Sequence, residues 1–287
     1  MKEIIKYITK WGRFLLKNRC LSFRERLKIV LTINKDAKDS IIRRFTLNRL
    51  VVSENKESYF DIAGYKIFFR PDYKVCDTQY FMKGVTSVLI ETFLLPEYFN
   101  SNCQIKEGDI VLDLGSCIGT TVLLFSKIVG KGGKVFAFEP VTYNSVRLNM
   151  EKNNISNVEI ISKAVSDRIG KAEIEMSDYC LDSSMANREY TKGYYRHKKA
   201  IDITSLDAFA QEAMLSKVDF IKMDIEGMEE LAIRGAANMI AKYRPKWSIS
   251  SYHTDFNNEP QHDKLVKLLR DCGYRIEESR KHHIYAW

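Results

Sequence analysis

A chain of 287 residues, 45% hydrophobic and 29% charged, is long enough to bury one large or two modest cores and has the composition of a folded protein, which excludes disorder as its governing state. No apolar stretch approaches the ~18 uncharged residues of a membrane span, and no secretion-signal pattern opens the chain, so the expected location is cytoplasmic. The net charge of +8 is uneven, with +10 on residues 1–50 and −2 on residues 51–287, so a polyanionic partner would meet the amino-terminal extension.

In chain order, residues 2–17 set Ile4, Ile8, Trp11 and Leu15 on one helical face and Lys2, Lys6, Lys10, Arg13 and Lys17 on the other. This is a cationic amphipathic helix, suited either to an anionic membrane surface or to capping its own domain. Ser22-Phe23-Arg24-Glu25 has capping-box spacing and opens a second helix. Basic residues here match no known RNA-binding motif, which argues against nucleic acid. Residues 51–79 read as short strands and turns, Tyr65 to Phe69 among them, within an α+β segment over 51–100.

From residue 101 the pattern alternates. Strands are expected at 109–114, 134–139, 158–164, 218–224 and 246–252, and helices at 120–129, 142–153, 205–216, 228–242 and 262–272. Two short runs at 274–276 and 284–287 are joined too closely for a parallel crossover and should form an antiparallel hairpin. A β-rich insertion occupies 171–204. The expected fold is α/β: a Rossmann-like, doubly wound, seven-stranded, mostly parallel sheet with an antiparallel carboxy-terminal hairpin, spanning 101–287 and preceded by the basic helical extension.

The chemistry-bearing residues fall at strand ends. Asp113-Leu114-Gly115-Ser116-Cys117-Ile118-Gly119 closes the run Ile110-Val111-Leu112, and Glu139 ends the next strand, where it can accept ribose hydroxyls. A dinucleotide loop places a second glycine where Cys117 stands. Asp113 would repel a pyrophosphate but suit a ligand bearing an ammonium and a sulfonium, such as S-adenosylmethionine. Removing Glu139 should weaken that cofactor and leave folding little altered. The fourth strand ends in Lys222-Met223-Asp224-Ile225-Glu226-Gly227, with paired acids at its exit, and His253 follows the fifth. Glu226 and Glu229 either favour a helix amino-terminus electrostatically or take a direct role. His253 is either a hydrogen-bonded structural histidine or a general base, which Asp224 or Glu226 could orient or replace. The six cysteines form no Cys-x-x-Cys pair and the five histidines complete no zinc spacing, so no metal is expected.

Three blocks together, Val111 to Gly119, Phe138-Glu139-Pro140 and Ile221 to Glu229, resemble the FkbM-type methyltransferases, a family of S-adenosylmethionine-dependent enzymes with seven-stranded sheets. The resemblance runs over roughly residues 80–287 and takes in Ala164-Val165-Ser166-Asp167 and Ser205-Leu206-Asp207. It departs at the loop, where Cys117 follows Ser116. It implies that Asp113, Gly115, Ser116 and Gly119 bound the methionine part of the cofactor, that Glu139 binds the ribose, and that Ala164 and Val165 border the adenine. Asp224 would lie between sulfonium and acceptor, with His253, Asp224 and Glu226 as catalytic candidates. The implied reaction is O-methylation of a hydroxyl on a sugar, glycolipid or other small metabolite. Two rivals stand beside it: a nicotinamide-dependent oxidoreductase, and a cofactor-binding adaptor that docks to anionic surfaces through residues 1–50.

Overall fold

The computed structural model describes residues 50–52, 58–68, 78–94, 97–177, 195–255, 257–279 and 283–287. The expected helices at 2–17 and from Ser22 lie outside the described residues, as does the middle of the 171–204 insertion. The described residues divide into two compact units, residues 50–97 and residues 98–287.

In the first unit, strands β1 (Leu50–Val52), β2 (Ser58–Ile62) and β3 (Tyr65–Phe68) form an antiparallel sheet in that order. Ala63 and Gly64, at φ 57° and 82°, make the two-residue left-handed turn that suits a hairpin's twist. Helix α1 (Thr78–Leu89) runs into a π-helical turn at Ile90–Leu94. Phe60, Ile62, Ile67 and Leu89 are buried, and the Tyr65 and Phe93 rings stack at 5.7 Å.

The second unit is built on a seven-stranded sheet. Its strands are β4 (Ile110–Leu114), β5 (Lys134–Phe138), β6 (Val158–Ile161), β10 (Phe220–Met223), β11 (Lys246–Ser250), β12 (Ile276–Ser279) and β13 (His283–Ala286), in the order β12-β13-β11-β10-β4-β5-β6. The pairs among β4, β5, β6, β10 and β11 are parallel, while β13 runs antiparallel to both β11 and β12. The mostly parallel sheet and the antiparallel hairpin are therefore those expected. Near-continuous apolar runs make the central strands because both faces are covered, here by helices α2 (Thr120–Val129), α3 (Tyr143–Lys152), α4 (Leu206–Glu212), α5 (Glu229–Arg234), α6 (Ala237–Tyr243) and α7 (His262–Asp271). Trp247, Phe220 and Leu112 are wholly buried at its centre, and Phe209 of α4 packs edge-on against Phe136 and Phe138.

Two expectations change. The run 158–164 is not one strand: β6 stops at Ile161, and Ala164–Val165 forms β7 in a separate three-stranded sheet with β8 (Gly170–Ser177) and β9 (Tyr195–Thr204). The expected helix 228–242 is broken at Gly235, where a Cβ would come within 2.4 Å of the Ser166 carbonyl oxygen. The Gly235 carbonyl accepts from Asp207 N, and the Asp207 carboxylate accepts from Asn238 N and Met239 N, so α6 gets a new amino-terminal cap.

Chain order reverses between β4 and β10. From β4 the chain moves outward through β5 and β6, then returns to the other side of β4 through β10 and β11. In such sheets the carboxyl ends of the two strands at the reversal open the binding crevice.

Candidate functional site

Asp113 lies near the end of β4, opposite Lys222 of β10 in register. Both are buried. Lys222 Nζ stands 3.1 Å from Asp113 Oδ1 and donates to the carbonyls of Leu114 (3.3 Å) and Gly115 (2.6 Å). Thr121 Oγ1 donates to the other Asp113 oxygen. Burial works against the lysine's charge, but Asp113 and Asp224 together hold its pKa above the ordinary value. This corrects the expectation that Asp113 presents a carboxylate at the loop entrance. At 0% exposure its charge faces inward, bracing the loop from below through Lys222.

The loop follows from local backbone needs. Gly115, Cys117 and Gly119 have φ of 77°, 51° and 88°, a left-handed path that glycine takes freely and cysteine takes under strain. A Cβ on Gly115 would sit 1.9 Å from the Asp224 carbonyl oxygen, so glycine here lets the exits of β4 and β10 converge. Ser116 is buried, and its hydroxyl donates to the Asp113 carbonyl at 3.0 Å. Asn149 Nδ2 holds the Ile118 carbonyl at 2.8 Å. Burial, then the nearby Glu139 charge, pushes the Cys117 thiol far up, which keeps it a protonated filler.

Glu139, just past β5, ties this loop to the next turn. Its Oε2 accepts from Cys117 N at 2.9 Å, and its Oε1 accepts from Val141 N (2.9 Å) and Thr142 N (3.0 Å). Burial pushes its carboxyl upward, and these amide donors pull the other way. Three of the roughly four acceptor sites of this carboxylate are taken by backbone amides. Glu139 is thus also a structural group, which corrects the expectation that folding would be indifferent to its loss. Ala164 and Val165 are buried in β7, paired with Ile203 and Thr204 of β9.

At the exit of β10, Glu226 (φ 57°) and Gly227 (φ 107°) turn the chain sharply into α5. Glu229, wholly buried, accepts from Ile225 N (3.2 Å), Gly227 N (3.0 Å), Gln261 Nε2 and His253 Nδ1 (2.9 Å). Because a carboxylate here only accepts, Nδ1 of His253 carries its hydrogen. Nε2 then points at Glu226 Oε1 (3.5 Å) and Asp224 Oδ1 (3.6 Å) and makes no hydrogen bond. Burial opposes a charge on His253, yet the Glu226 and Glu229 carboxylates hold its pKa well above the usual histidine value. Asp224 Oδ2 accepts from Tyr98 OH at 3.2 Å.

The structure thus gathers Asp224, Glu226 and His253 at one strand exit, next to the glycine loop, and sets Glu139 on the loop's other side. Asp113 and Ser116 support that loop from below. Sequence reasoning missed the orienting partner of His253, which is Glu229 and not Asp224 or Glu226, and missed Gln261, Tyr98 and Lys222. Lys222 left a signal: it is the one charged residue in the apolar strand Phe220-Ile221-Lys222-Met223. Glu229 was already a candidate, as a helix-start acid or one with a direct role, but nothing local in the sequence pairs it with His253.

A family model for the methyltransferase FkbM domain matches residues 113–276. Among characterised proteins, the chain is 24% identical over 151 residues to 2-O-methyltransferase NoeI of Sinorhizobium fredii (strain NBRC 101917 / NGR234), a match covering 48% of this chain and 62% of that protein. Less than two thirds of that relative's length is therefore spanned. Among solved structures, the chain is similar to methyltransferase FkbM from Methylobacillus flagellatus KT, at 18% identity and a TM-score of 0.44, over 90% of this chain and 62% of that one. It is also similar to a SAM dependent methyltransferase from Aquifex aeolicus, at 18% identity and a TM-score of 0.41, over 73% of this chain and 97% of that one.

Proposed function

The chain belongs to the FkbM methyltransferase domain family, and on that premise we propose that it moves a methyl group from S-adenosylmethionine to a hydroxyl of a small acceptor, a sugar or glycolipid in the first instance. The observation that carries this reading is the meeting of Asp224, Glu226 and His253 beside the glycine loop at the point where strand order reverses. A hydroxyl acceptor is supported by the relative described as a 2-O-methyltransferase.

The Gly115–Gly119 loop, Glu139, Ala164 and Val165 would hold the cofactor, with Asp224 between it and the acceptor. The cofactor supplies a methyl already activated on a sulfonium. What is left to the protein is alignment, for which proximity is worth several kcal/mol, and removal of the hydroxyl proton. The Asp224 and Glu226 side chains are 18% and 23% exposed and His253 only 2%, so the carboxylates face the acceptor and take the proton. His253 braces them from behind and is itself set by Glu229. Of the three candidates for general base, the two carboxylates are thus preferred over His253.

Incubating the full chain with methyl-labelled cofactor and fractionated metabolites tests this. The expected result is a labelled methyl ether formed in step with S-adenosylhomocysteine. Binding without turnover on every fraction would instead favour the adaptor reading. No helix among the described residues is long and apolar enough to cross a membrane. The proposed setting is the cytoplasm, with the +10 charge of residues 1–50 docking to an anionic bilayer. Cosedimentation with anionic vesicles that fails even at low salt would remove the docking.

A further inference from the structure

We propose that Asp224, Glu226 and His253 bind one divalent first-row cation. One ligand atom from each of the three lies within 4.8 Å of the others, and His253 Nε2 is 3.5 Å and 3.6 Å from the two carboxylate oxygens. Ligands bound at about 2.1–2.2 Å and a tetrahedral angle stand about 3.4–3.6 Å apart, so these separations already match a metal's coordination sphere.

Paired acids alone would not carry this inference. The independent observation is His253, whose residue is 4% exposed and whose Nε2 finds no hydrogen-bond partner while aimed between the two carboxylates. Its other nitrogen is fixed at 2.9 Å by the wholly buried Glu229. A carboxylate gripping Nδ1 so that Nε2 faces outward is how proteins orient a metal-binding imidazole. Glu226 itself sits on a left-handed backbone at φ 57°. Both carboxylates are partly exposed, which leaves an entry path and an open position.

Three protein ligands and an open position suit Lewis-acid chemistry. This role, unlike the binding itself, rests on the methyl-transfer reading. An acceptor hydroxyl bound in the open position loses its proton to the Glu226 carboxylate oxygen that the cation leaves uncoordinated. Its oxygen then forms the bond to the methyl carbon as the carbon–sulfur bond breaks, the electron pair returns to sulfur, and the cation is unchanged.

The test titrates the full chain, stripped with EDTA and desalted, with Mn2+ and reads free Mn2+ by electron paramagnetic resonance. The expected result is saturable binding of one Mn2+ per chain, displaced by Zn2+ as the order of metal affinities requires, and weakened about tenfold or more in the isosteric variants Asp224→Asn and Glu226→Gln. Calorimetry with S-adenosylmethionine on the same preparations shows that each is folded. Cofactor binding without saturable Mn2+ binding, or Mn2+ affinity unchanged in both variants, would overturn the proposal. Mn2+ binding by a chain that ignores S-adenosylmethionine would support the cation site and sink the methyl-transfer reading.

Discussion

The proposed cofactor half and the proposed acceptor half of the site grow from neighbouring strand ends of one sheet, yet they treat charge differently. Around the glycine loop, the chain answers its own carboxylates: Asp113 meets Lys222 and Thr121, and Glu139 meets three backbone amides. Around the β10 exit, Glu229 accepts four hydrogen bonds, while His253 Nε2 has no hydrogen bond and the Asp224 and Glu226 side chains are partly exposed. The first half is a preset frame. The second sets two partly exposed carboxylates beside a histidine nitrogen that makes no hydrogen bond, the difference expected if one half holds a constant cofactor and the other activates an acceptor.

The strongest way to break this division is Gly115→Ala. The new Cβ would overlap the Asp224 carbonyl and demand a left-handed backbone from alanine, so both halves should fail together, with a stability loss of about 3–5 kcal/mol in urea unfolding. A loss below ~1 kcal/mol would show that the two strand exits are not locked to each other. Next is Glu229→Ala, which strips an acceptor from His253, Gln261 and two amides at once. It should cost about 3 kcal/mol of stability and lower turnover more than cofactor affinity. Equal losses in both kinetic measures would mean that the halves are not separate.

Glu139→Ala tests the preset frame alone. Cofactor affinity should fall by about 1.5–3 kcal/mol in calorimetry, and stability should also fall, by about 1–3 kcal/mol, because the amides of Cys117, Val141 and Thr142 lose their acceptor. An unchanged dissociation constant would leave Glu139 a purely structural group. Tyr98→Phe should have the smallest effect. It removes one hydrogen bond to Asp224, lowering kcat by about 0.5–1.5 kcal/mol in activation terms with cofactor binding intact. A loss in cofactor affinity would place Asp224 in the wrong half.

The same division governs what the sequence disclosed. Glycine loop, Glu139 and the Asp224-Ile225-Glu226-Gly227 turn were legible because each is a local backbone requirement at the end of a recognisable strand. The pairs that set their behaviour are distant in sequence: Asp113 with Lys222, His253 with Glu229 and Tyr98 with Asp224 meet only once strand order is known. So Asp113 read as an open carboxylate when the adjacent strand in fact neutralises it. Periodicity likewise joined residues 228–242 into one helix, because the close approach that requires Gly235 comes from the Ser166 backbone, on another element.

The central claim is that these strand ends form an S-adenosylmethionine site. Calorimetric titration of the full chain with S-adenosylmethionine, and separately with NAD, tests it most directly. The account predicts saturable binding of one S-adenosylmethionine per chain in the micromolar range, about −8 kcal/mol, and no heat from NAD. Binding of NAD in its place, or no binding of S-adenosylmethionine by a folded chain, would contradict it.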